Sequence, residues 1–113
     1  MSRDPIMQNT NTSVLARRVR ISDDYATLPY EAGWATEAVF FLQTEGEHGD
    51  LSLGAEVSPD GINWIRRADA TLAAADSLVD VPVDRFGNWL RLTVSGATEQ
   101  QPARILVHLN LKG

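Results

Sequence analysis

The sequence predicts an all-β fold: an antiparallel β-sandwich or jelly roll of about seven or eight strands, preceded by an extended N-terminal arm. Apolar and polar residues alternate with a period of two from Val14 onward, which is typical of strands with one buried face. Turn residues separate the alternating segments at short intervals. The segment 68–75 is the one stretch of helical composition, and so short a segment without an amphipathic stripe makes a weak helix.

The polar residues 1–13 form the arm, and residues 14–113 form a single β-sandwich domain, because 113 residues suit one hydrophobic core. The first strand covers 14–22, and the connection 24–36 is irregular because it contains a proline and a glycine among aromatic residues. The remaining strands cover residues 37–45, 51–57, 62–67, 79–84, 90–95 and 105–112. Pro82 has no N–H to donate to a neighbouring strand, which predicts that its strand lies at a sheet edge.

Composition excludes several classes of protein. The chain is 43% hydrophobic and 22% charged, which is typical of a folded domain rather than a disordered one. It has no cysteine, and therefore no disulfide, no thiolate metal site and no cysteine nucleophile. The net charge of −5 predicts no general affinity for nucleic acid or anionic membranes. No apolar run has the length of a spanning helix, and the N-terminal segment lacks the apolar core of a signal peptide, so we expect neither.

The charge is distributed unevenly along the chain. Residues 1–20 contain four arginines and one acid, whereas the remainder contains six basic and 14 acidic residues. Such charges usually serve solubility alone, and the alternative is that Arg3, Arg17 and Arg18 dock on the acidic surface of a neighbouring copy. Arginine favours this alternative because it is enriched at protein interfaces, and only Lys112 among the ten cationic residues is a lysine.

Residues 58–61, Ser-Pro-Asp-Gly, carry a strong turn signal. Serine is favoured at the first position of a β-turn, proline presets φ at the second, and aspartate tolerates the third. Glycine at the fourth position accepts the positive φ that begins a bulge. The spacing therefore predicts a hairpin between strands 51–57 and 62–67, with Trp64 folded over the turn or capping one end of the sandwich.

The string Ala-Glu-Val-Ser-Pro-Asp-Gly-Ile-Asn-Trp at 55–64 resembles the V-x-x-S-x-D-G-x-x-W hairpin of discoidin-like (F5/8 type C, galactose-binding-like) sandwiches. The string Phe-Gly-Asn-Trp-Leu-Arg-Leu-Thr-Val at 86–94 is similar to the R-Y-V-R-L-x-V strand that follows it in that family. Similar hairpins occur in short β-sandwich proteins of tailed-phage virions, and the resemblance covers residues 50–113. The chain is shorter than a discoidin domain, lacks its cysteine pair and has Asn88-Trp89 in place of Arg-Tyr. The resemblance therefore implies a short sandwich of the virion type and carries over no ligand residue.

The sequence contains no catalytic constellation. His108 lies opposite the apolar residues of the last strand and far in sequence from any activated serine, and no phosphate-binding loop is present. The acidic loop 44–50 offers oxygen ligands for a hard cation, but its spacing is that of no calcium loop and its single histidine is too few for zinc. We interpret the loop as solvated, and we expect no catalytic residue, no metal ligand and no cofactor.

Asp60, Trp64 and Trp89 are the candidate residues of a ligand site. Acids in such loops bind calcium or sugar hydroxyls, and exposed tryptophans stack on sugar rings. The competing interpretations are that Asp60 only forms the turn and that all three tryptophans of the chain fill the core.

Several large apolar residues have the wrong strand phase for burial. Val39 and Phe41 alternate with residues that are expected to face the core, and Trp89 and Leu106 do the same on two later strands. Each large side chain left in water forgoes roughly 1.5–3 kcal/mol of burial. Because contiguous exposed apolar surface normally marks an interface, we predict that these four residues include subunit contacts.

The predicted function is that of a non-catalytic structural protein, a small virion component such as a capsid decoration, fibre or tail protein. Its predicted partners are further copies of itself or a larger protein assembly, without nucleic acid or membrane, and its predicted location is the virion or the cytoplasm. The arm would gain order on docking, and many weak contacts would hold firmly together. The alternative is a carbohydrate-binding module that binds a glycan through its ligand-site residues.

Overall fold

Nine antiparallel β-strands form in residues 9–113, the part of the chain that the computed structural model describes. The strands are β1 (Thr10–Ile21), β2 (Tyr25–Ala26), β3 (Tyr30–Glu31), β4 (Glu37–Glu45), β5 (Leu51–Ser58), β6 (Ile65–Leu72), β7 (Leu78–Val83), β8 (Trp89–Ser95) and β9 (Ala103–Lys112). One sheet has four strands in the order β1-β9-β4-β7. The other has five strands, in which β2, β8, β5 and β6 are neighbours and β3 also pairs with β8. The predicted all-β sandwich is confirmed.

The hydrophobic core lies between the inner faces of the two sheets. Strand alternation places one phase of each strand in this core, for example Phe40 and Leu42 of β4 and Leu92 of β8, all of which are fully buried. Both sheets contribute large side chains, so neither face of the core is stable without the other.

Two strands agree closely with the sequence prediction. β4 has the predicted bounds, and β7 lies at the edge of the four-stranded sheet, as Pro82 indicates. The connection 24–36 is irregular apart from the two-residue strands β2 and β3.

β1 begins at Thr10, four residues before the predicted start, and pairs with β9 along its length. Residues 10–13 lack apolar alternation because their side chains are mostly exposed, so the period-two signal that located the other strands is missing there. Residues 10–13, which were expected to belong to the arm, therefore form the first part of β1. Residues 1–8, including Arg3, lie outside the described residues.

The segment 68–75, whose composition is helical, forms no helix, in agreement with the predicted all-β fold. β6 runs to Leu72, and its apolar side chains, such as Ala70 and Leu72, lie opposite Leu53 and Leu51 of β5. Pairing with β5 overrides the local helical composition because it satisfies the backbone and buries the apolar phase of the strand. Over residues 9–113, no helix is long and apolar enough to cross a membrane.

β1 is irregular where it passes the middle of β9. Its register against β9 shifts between Val14 and Ala16 and again between Ala16 and Val19, so each shift accommodates an extra residue. Arg18, within the second shift, has a positive φ of 52°. These bulges turn the Arg18 side chain toward β4, where its Nε lies 3.1 Å from Glu45 Oε2.

Candidate functional site

The outer face of the four-stranded sheet carries three of the residues predicted to contact another subunit. Phe41 on β4 pairs in register with His108 on β9, and Val39 pairs with Asn110. Paired residues on adjacent strands project to the same side of a sheet, so these side chains share one surface. Leu106 lies on the same side, two residues along β9 from His108. Its side chain and those of Val39 and Phe41 are half-buried within the chain.

Further apolar side chains extend this surface to both neighbouring strands. Val14 of β1 pairs with His108 and is 38% exposed, and Leu78 of β7 pairs with Gln43 and is 59% exposed. We call this surface the apolar face and define it by Val14, Val39, Phe41, Leu78, Pro82 and Leu106.

Two shallow grooves run along Val39 on the apolar face. One, of about 330 Å³, lies between β4 and β7, and the other, of about 150 Å³, lies between β4 and β9. Asn110 lines the second groove, and its side-chain Oδ1 is buried without a hydrogen-bond donor among the described residues. An unpaired buried acceptor costs free energy, so a donor that enters this groove would relieve that cost.

Charges of opposite sign lie at diagonally opposite corners of the apolar face. Where the end of β1 meets the start of β9, the described residues at the basic corner are Arg18, Arg20, Arg104, Glu45 and Glu47. Where the start of β4 meets the end of β7, those at the acidic corner are Glu37, Asp84 and Lys112. Asp80 of β7 pairs with Phe41 and lies outside this corner. Each corner therefore has a formal excess of one charge, positive at the first and negative at the second.

The arginines predicted to dock on a neighbour have different surroundings. Arg17 is exposed on β1. Arg18 donates from its Nε to Glu45 within the same chain, but 67% of its side chain is exposed, and such pairs contribute little to stability. Their docking on another molecule stays a prediction.

Trp89, the fourth predicted contact residue, lies on the other side of the molecule. It pairs with Ser58 of β5 on the outer face of the five-stranded sheet, alternating with buried Leu90. Its ring packs against Gly61, where a Cβ would lie 3.4 Å from the ring. The four predicted residues therefore do not form one patch.

The three tryptophans do not fill the core. Trp34 is exposed, and Trp64 and Trp89 are half-buried. The guanidinium carbon of Arg91 on β8 lies 4.3 Å from the centroid of the Trp64 ring, within the range of a cation–π interaction.

A continuous line of charged side chains crosses the outer face of the five-stranded sheet. Arg91 donates from Nε to Glu56 Oε1 at 2.7 Å, and Glu56 Oε2 lies 3.6 Å from Nη2 of Arg66. Arg66 also donates to Asp69 and to the Thr93 hydroxyl, both at 3.1 Å. We call the line formed by Trp64, Arg91, Glu56, Arg66 and Asp69 the polar strip.

Gly54 makes room for the polar strip. A Cβ at this position would overlap the guanidinium group of Arg66, which lies across the glycine. A glycine inside an alternating strand is a sequence signal of close approach, but it does not reveal which group approaches. The polar strip itself was not predicted, because it depends on the register of three strands.

The turn at 58–61 is built as its residue types indicate. Buried Ser58 accepts hydrogen bonds at its Oγ from the backbone N–H groups of Asp60 and Gly61, and Gly61 has a φ of 80°. Asp60 Oδ1 accepts from the N–H groups of Ile62 and Asn63, and Oδ2 accepts from the Asn63 side chain.

These contacts have two consequences for Asp60. The backbone N–H of Asn63, followed by that of Ile62, stabilises the carboxylate and holds the pKa of Asp60 well below its ordinary value. They also extend the loop, so that β6 begins at Ile65 rather than at residue 62. Both carboxylate oxygens of Asp60, a predicted ligand residue, accept hydrogen bonds within the loop.

The interpretation of loop 44–50 as solvated is wrong for His48. Its side chain is only 6% exposed, and its Nδ1 and Nε2 each lie 2.7 Å from a backbone carbonyl oxygen, of Gly49 and Asp76. Asp50 Oδ1 accepts from the backbone N–H of Ala74. No group of three or more His, Cys, Asp or Glu side chains in residues 9–113 is arranged to hold a metal ion.

Residues 33–113 match the family model described as "Domain of unknown function (DUF6385)". No curated protein matches the chain. The matched region begins after β3 and includes both the apolar face's strands β4, β7 and β9 and the polar strip.

Solved structures share the fold at low sequence identity. The SPBc2 prophage-derived protein YomS is similar with a TM-score of 0.66 and 7% identity, over 95% of this chain and 96% of YomS. The PBSX exported protein XepA has a TM-score of 0.62 and 14% identity over 93% of this chain, which spans 36% of the XepA chain. PirA has a TM-score of 0.51 and 9% identity, over 92% of this chain and 93% of PirA. At the level of the fold, the resemblance to short phage β-sandwich proteins is confirmed.

Proposed function

We propose that this chain, which belongs to the DUF6385 family, is a non-catalytic structural protein that acts by contact with other protein molecules, as a small component of a virion such as a capsid decoration, fibre or tail protein. The apolar face is the single observation that carries the proposal. It places large apolar side chains on a solvated sheet surface, where each forgoes part of the free energy of burial.

The layout of the apolar face supports association rather than catalysis. Apolar residues cover most of its centre, beside Asp80 and His108, and the other charged residues lie toward its corners, which resembles a protein interface with an apolar core and a polar rim. The buried, unpaired Oδ1 of Asn110 adds an acceptor that a partner's donor would satisfy.

The virion assignment has separate support. YomS, a prophage-derived protein, has the same fold over nearly its whole length, and XepA is a PBSX exported protein that contains the fold as about a third of its chain. A short sandwich without a visible reaction centre suits a part that is repeated many times in a particle, where weak contacts add up. Under this proposal the chain is located in the virion or, before assembly, in the cytoplasm, and it binds neither nucleic acid nor membrane.

The proposal is tested by replacing Phe41. Particles would be isolated by sedimentation from cells that produce them together with this chain, and the chain in the pellet would be quantified. We expect Phe41→Ser to reduce the sedimenting fraction at least ten-fold, because it removes the central apolar contact. Ile62→Ser, which changes an exposed apolar residue in the loop after β5, is the matched control and should leave it unchanged. Equal sedimentation of both variants and the wild type would contradict the proposal.

A carbohydrate-binding module is the second candidate. It is favoured by the half-exposed rings of Trp64 and Trp89 on one sheet surface, and by an open groove of about 410 Å³ beside β2, lined by Asp24, Arg66 and Thr93 among others. This candidate predicts a change in tryptophan fluorescence with a glycan panel that is lost in Trp64→Ala or Trp89→Ala. No response to any glycan, in a protein that sediments with particles, would exclude it.

A further inference from the structure

We infer that the apolar face binds the apolar face of a second copy of this chain, in a two-fold arrangement in which the strands of the facing sheets cross obliquely. The inference rests on the proposed function, since it uses the same surface, and it names the partner. It follows from where the charges lie rather than from apolarity alone.

The position of each corner is fixed by strand register. Arg104 pairs with Arg20 of β1 on one side and with Glu45 of β4 on the other, near the start of β9. Glu37, which pairs with Lys112, lies near the end of β9, beside Asp84, which follows the outermost strand, β7. The basic and acidic corners are therefore at the two ends of one diagonal of the apolar face.

A two-fold axis can bring these corners together. In a face-to-face dimer the axis lies in the plane between the copies, and an axis at right angles to the diagonal that joins the two charged corners exchanges the basic and acidic corners. Each basic corner then lies over the acidic corner of the other copy, and this contact forms twice. A two-fold axis parallel or perpendicular to the strands does not pair the corners, because it places the basic corner of one copy over an end of the other copy's sheet that is not its acidic corner.

The same axis also sets the angle between the sheets. Rotation about this axis turns the strands of one copy by about 60–70° relative to those of the other, because the face is longer along its strands than across them. Phe41 lies on a central strand and in the middle row of the apolar face, close to this axis. The two Phe41 rings therefore meet at the centre of the dimer.

The size of the apolar face indicates how strong this dimer is. Four strands about 4.8 Å apart, each about eight residues long, cover an area of roughly 500 Å². A dimer would bury this area on each copy, or about 1,000 Å² in total. Such an area is at the low end of specific interfaces. We therefore expect a reversible dimer whose population depends on protein concentration.

The test reverses the charge of one corner at a time. The first variant carries Arg20→Glu and Arg104→Glu, and the second carries Glu37→Lys and Asp84→Lys. Light scattering and sedimentation equilibrium would be measured over a range of concentrations. Wild type should change from 12.4 kDa toward twice that mass as concentration rises, and each variant alone should dimerise at least ten-fold more weakly, because both of its corner contacts are repulsive.

The mixture of the two variants gives the decisive result. In a heterodimer, the reversed basic corner of the first variant faces the reversed acidic corner of the second, and the two unchanged corners also face each other. Every contact is then attractive, so we expect an equimolar mixture to recover dimerisation to within about three-fold of wild type. The control is Glu31→Lys with Glu99→Lys, two exposed acids outside the four-stranded sheet, which should neither weaken dimerisation nor restore it in a mixture.

Failure of this inference is distinguishable from failure of the proposed function. A wild-type chain that is monomeric at every concentration, but still sediments with particles through Phe41, would overturn the second copy as the partner and leave the proposed function intact. A wild-type dimer that neither variant weakens, or a mixture that stays monomeric, would overturn the diagonal arrangement.

Discussion

The outer faces of the two sheets differ in how their charged and apolar side chains are arranged. On the five-stranded sheet the charges are paired within the chain, and Glu56 of the polar strip contacts arginines from two neighbouring strands. On the four-stranded sheet most of the centre is apolar, and charges of opposite sign lie at separate corners. The charges of the five-stranded face satisfy one another within the chain, whereas the other face leaves apolar side chains exposed, as the protein contact that we propose for it requires.

The difference originates in the outward phase of the central strands. β4 places Val39 and Phe41 outward, while β5 places Ser52, Gly54 and Glu56 outward. The inward phases of the two strands are similarly apolar, so the core requires the same pattern of both. The outward-facing residues are not constrained by the core, so their composition indicates what kind of surroundings each face has.

The largest effect on stability is expected for Glu56→Ala. This change leaves the guanidinium groups of Arg66 and Arg91 beside each other without the carboxylate between them, on a surface where Glu56 is only 14% exposed. We expect the free energy of unfolding in urea to fall by about 2 kcal/mol. The control is Glu45→Ala, which removes the exposed partner of Arg18 at the corner of the other face and should cost less than about 1 kcal/mol. Equal losses would mean that the two faces do not differ as described.

Gly54→Ala is expected to have the next largest effect. The new Cβ overlaps the Arg66 guanidinium, the flexible end of a half-exposed side chain, and displaces it from Glu56 and Thr93, so the free energy of unfolding should fall by about 1 kcal/mol. Ser52→Ala, on the same strand and the same outer face, should change it by less than about 0.5 kcal/mol. A stable Gly54→Ala protein would show that the polar strip does not depend on the close approach of Arg66, and urea denaturation of both variants decides this.

Trp64→Ala separates the structural role of this ring from a role in ligand binding. Loss of the contact with the Arg91 guanidinium should lower the free energy of unfolding by about 1 kcal/mol. Trp64→Phe keeps an aromatic ring and should lower it by only about half as much. If neither variant changes stability while a glycan titration of wild type changes its fluorescence, the five-stranded face binds a ligand. The outer face of the five-stranded sheet would then be the surface that contacts another molecule.

The smallest effect is expected for Asp60→Asn, and it depends on pH. Because the folded-state pKa of Asp60 is lowered, the ionised carboxylate stabilises the fold above its unfolded-state pKa of about 4, and this contribution is lost as pH falls toward the lower folded-state value. Wild type should therefore be more stable than the variant at pH 7, and the difference should narrow below about pH 4. A difference that is the same at both pH values would show that the turn does not use the charge of Asp60.

Strand phase predicted much of the fold and part of the site. The bounds of β4, the edge position of β7 and the outward orientation of Val39, Phe41 and Trp89 all follow from alternation within single strands. Alternation does not say which sheet a strand joins, which is why Phe41 and Trp89 were grouped although they lie on opposite sides of the molecule.

Features that depend on pairing between distant strands were not predictable. The polar strip combines Trp64 with residues from β5, β6 and β8, and the charged corners combine residues from β1, β4 and β9 with Asp84, which follows β7. His48 was placed in solvent because acidic residues surround it in sequence, yet the carbonyl oxygen of Asp76, 28 residues later, contacts its ring and helps to bury it.

The edges of the four-stranded sheet carry features that disfavour fibril growth. A free edge with regular hydrogen-bonding groups recruits further chains and builds cross-β aggregates. Here Pro82 interrupts the pattern on β7, and the two bulges with Arg18 interrupt it on β1. Both edges are therefore poor templates for strand addition, which leaves contact through its outer surface as the favoured way for this sheet to associate.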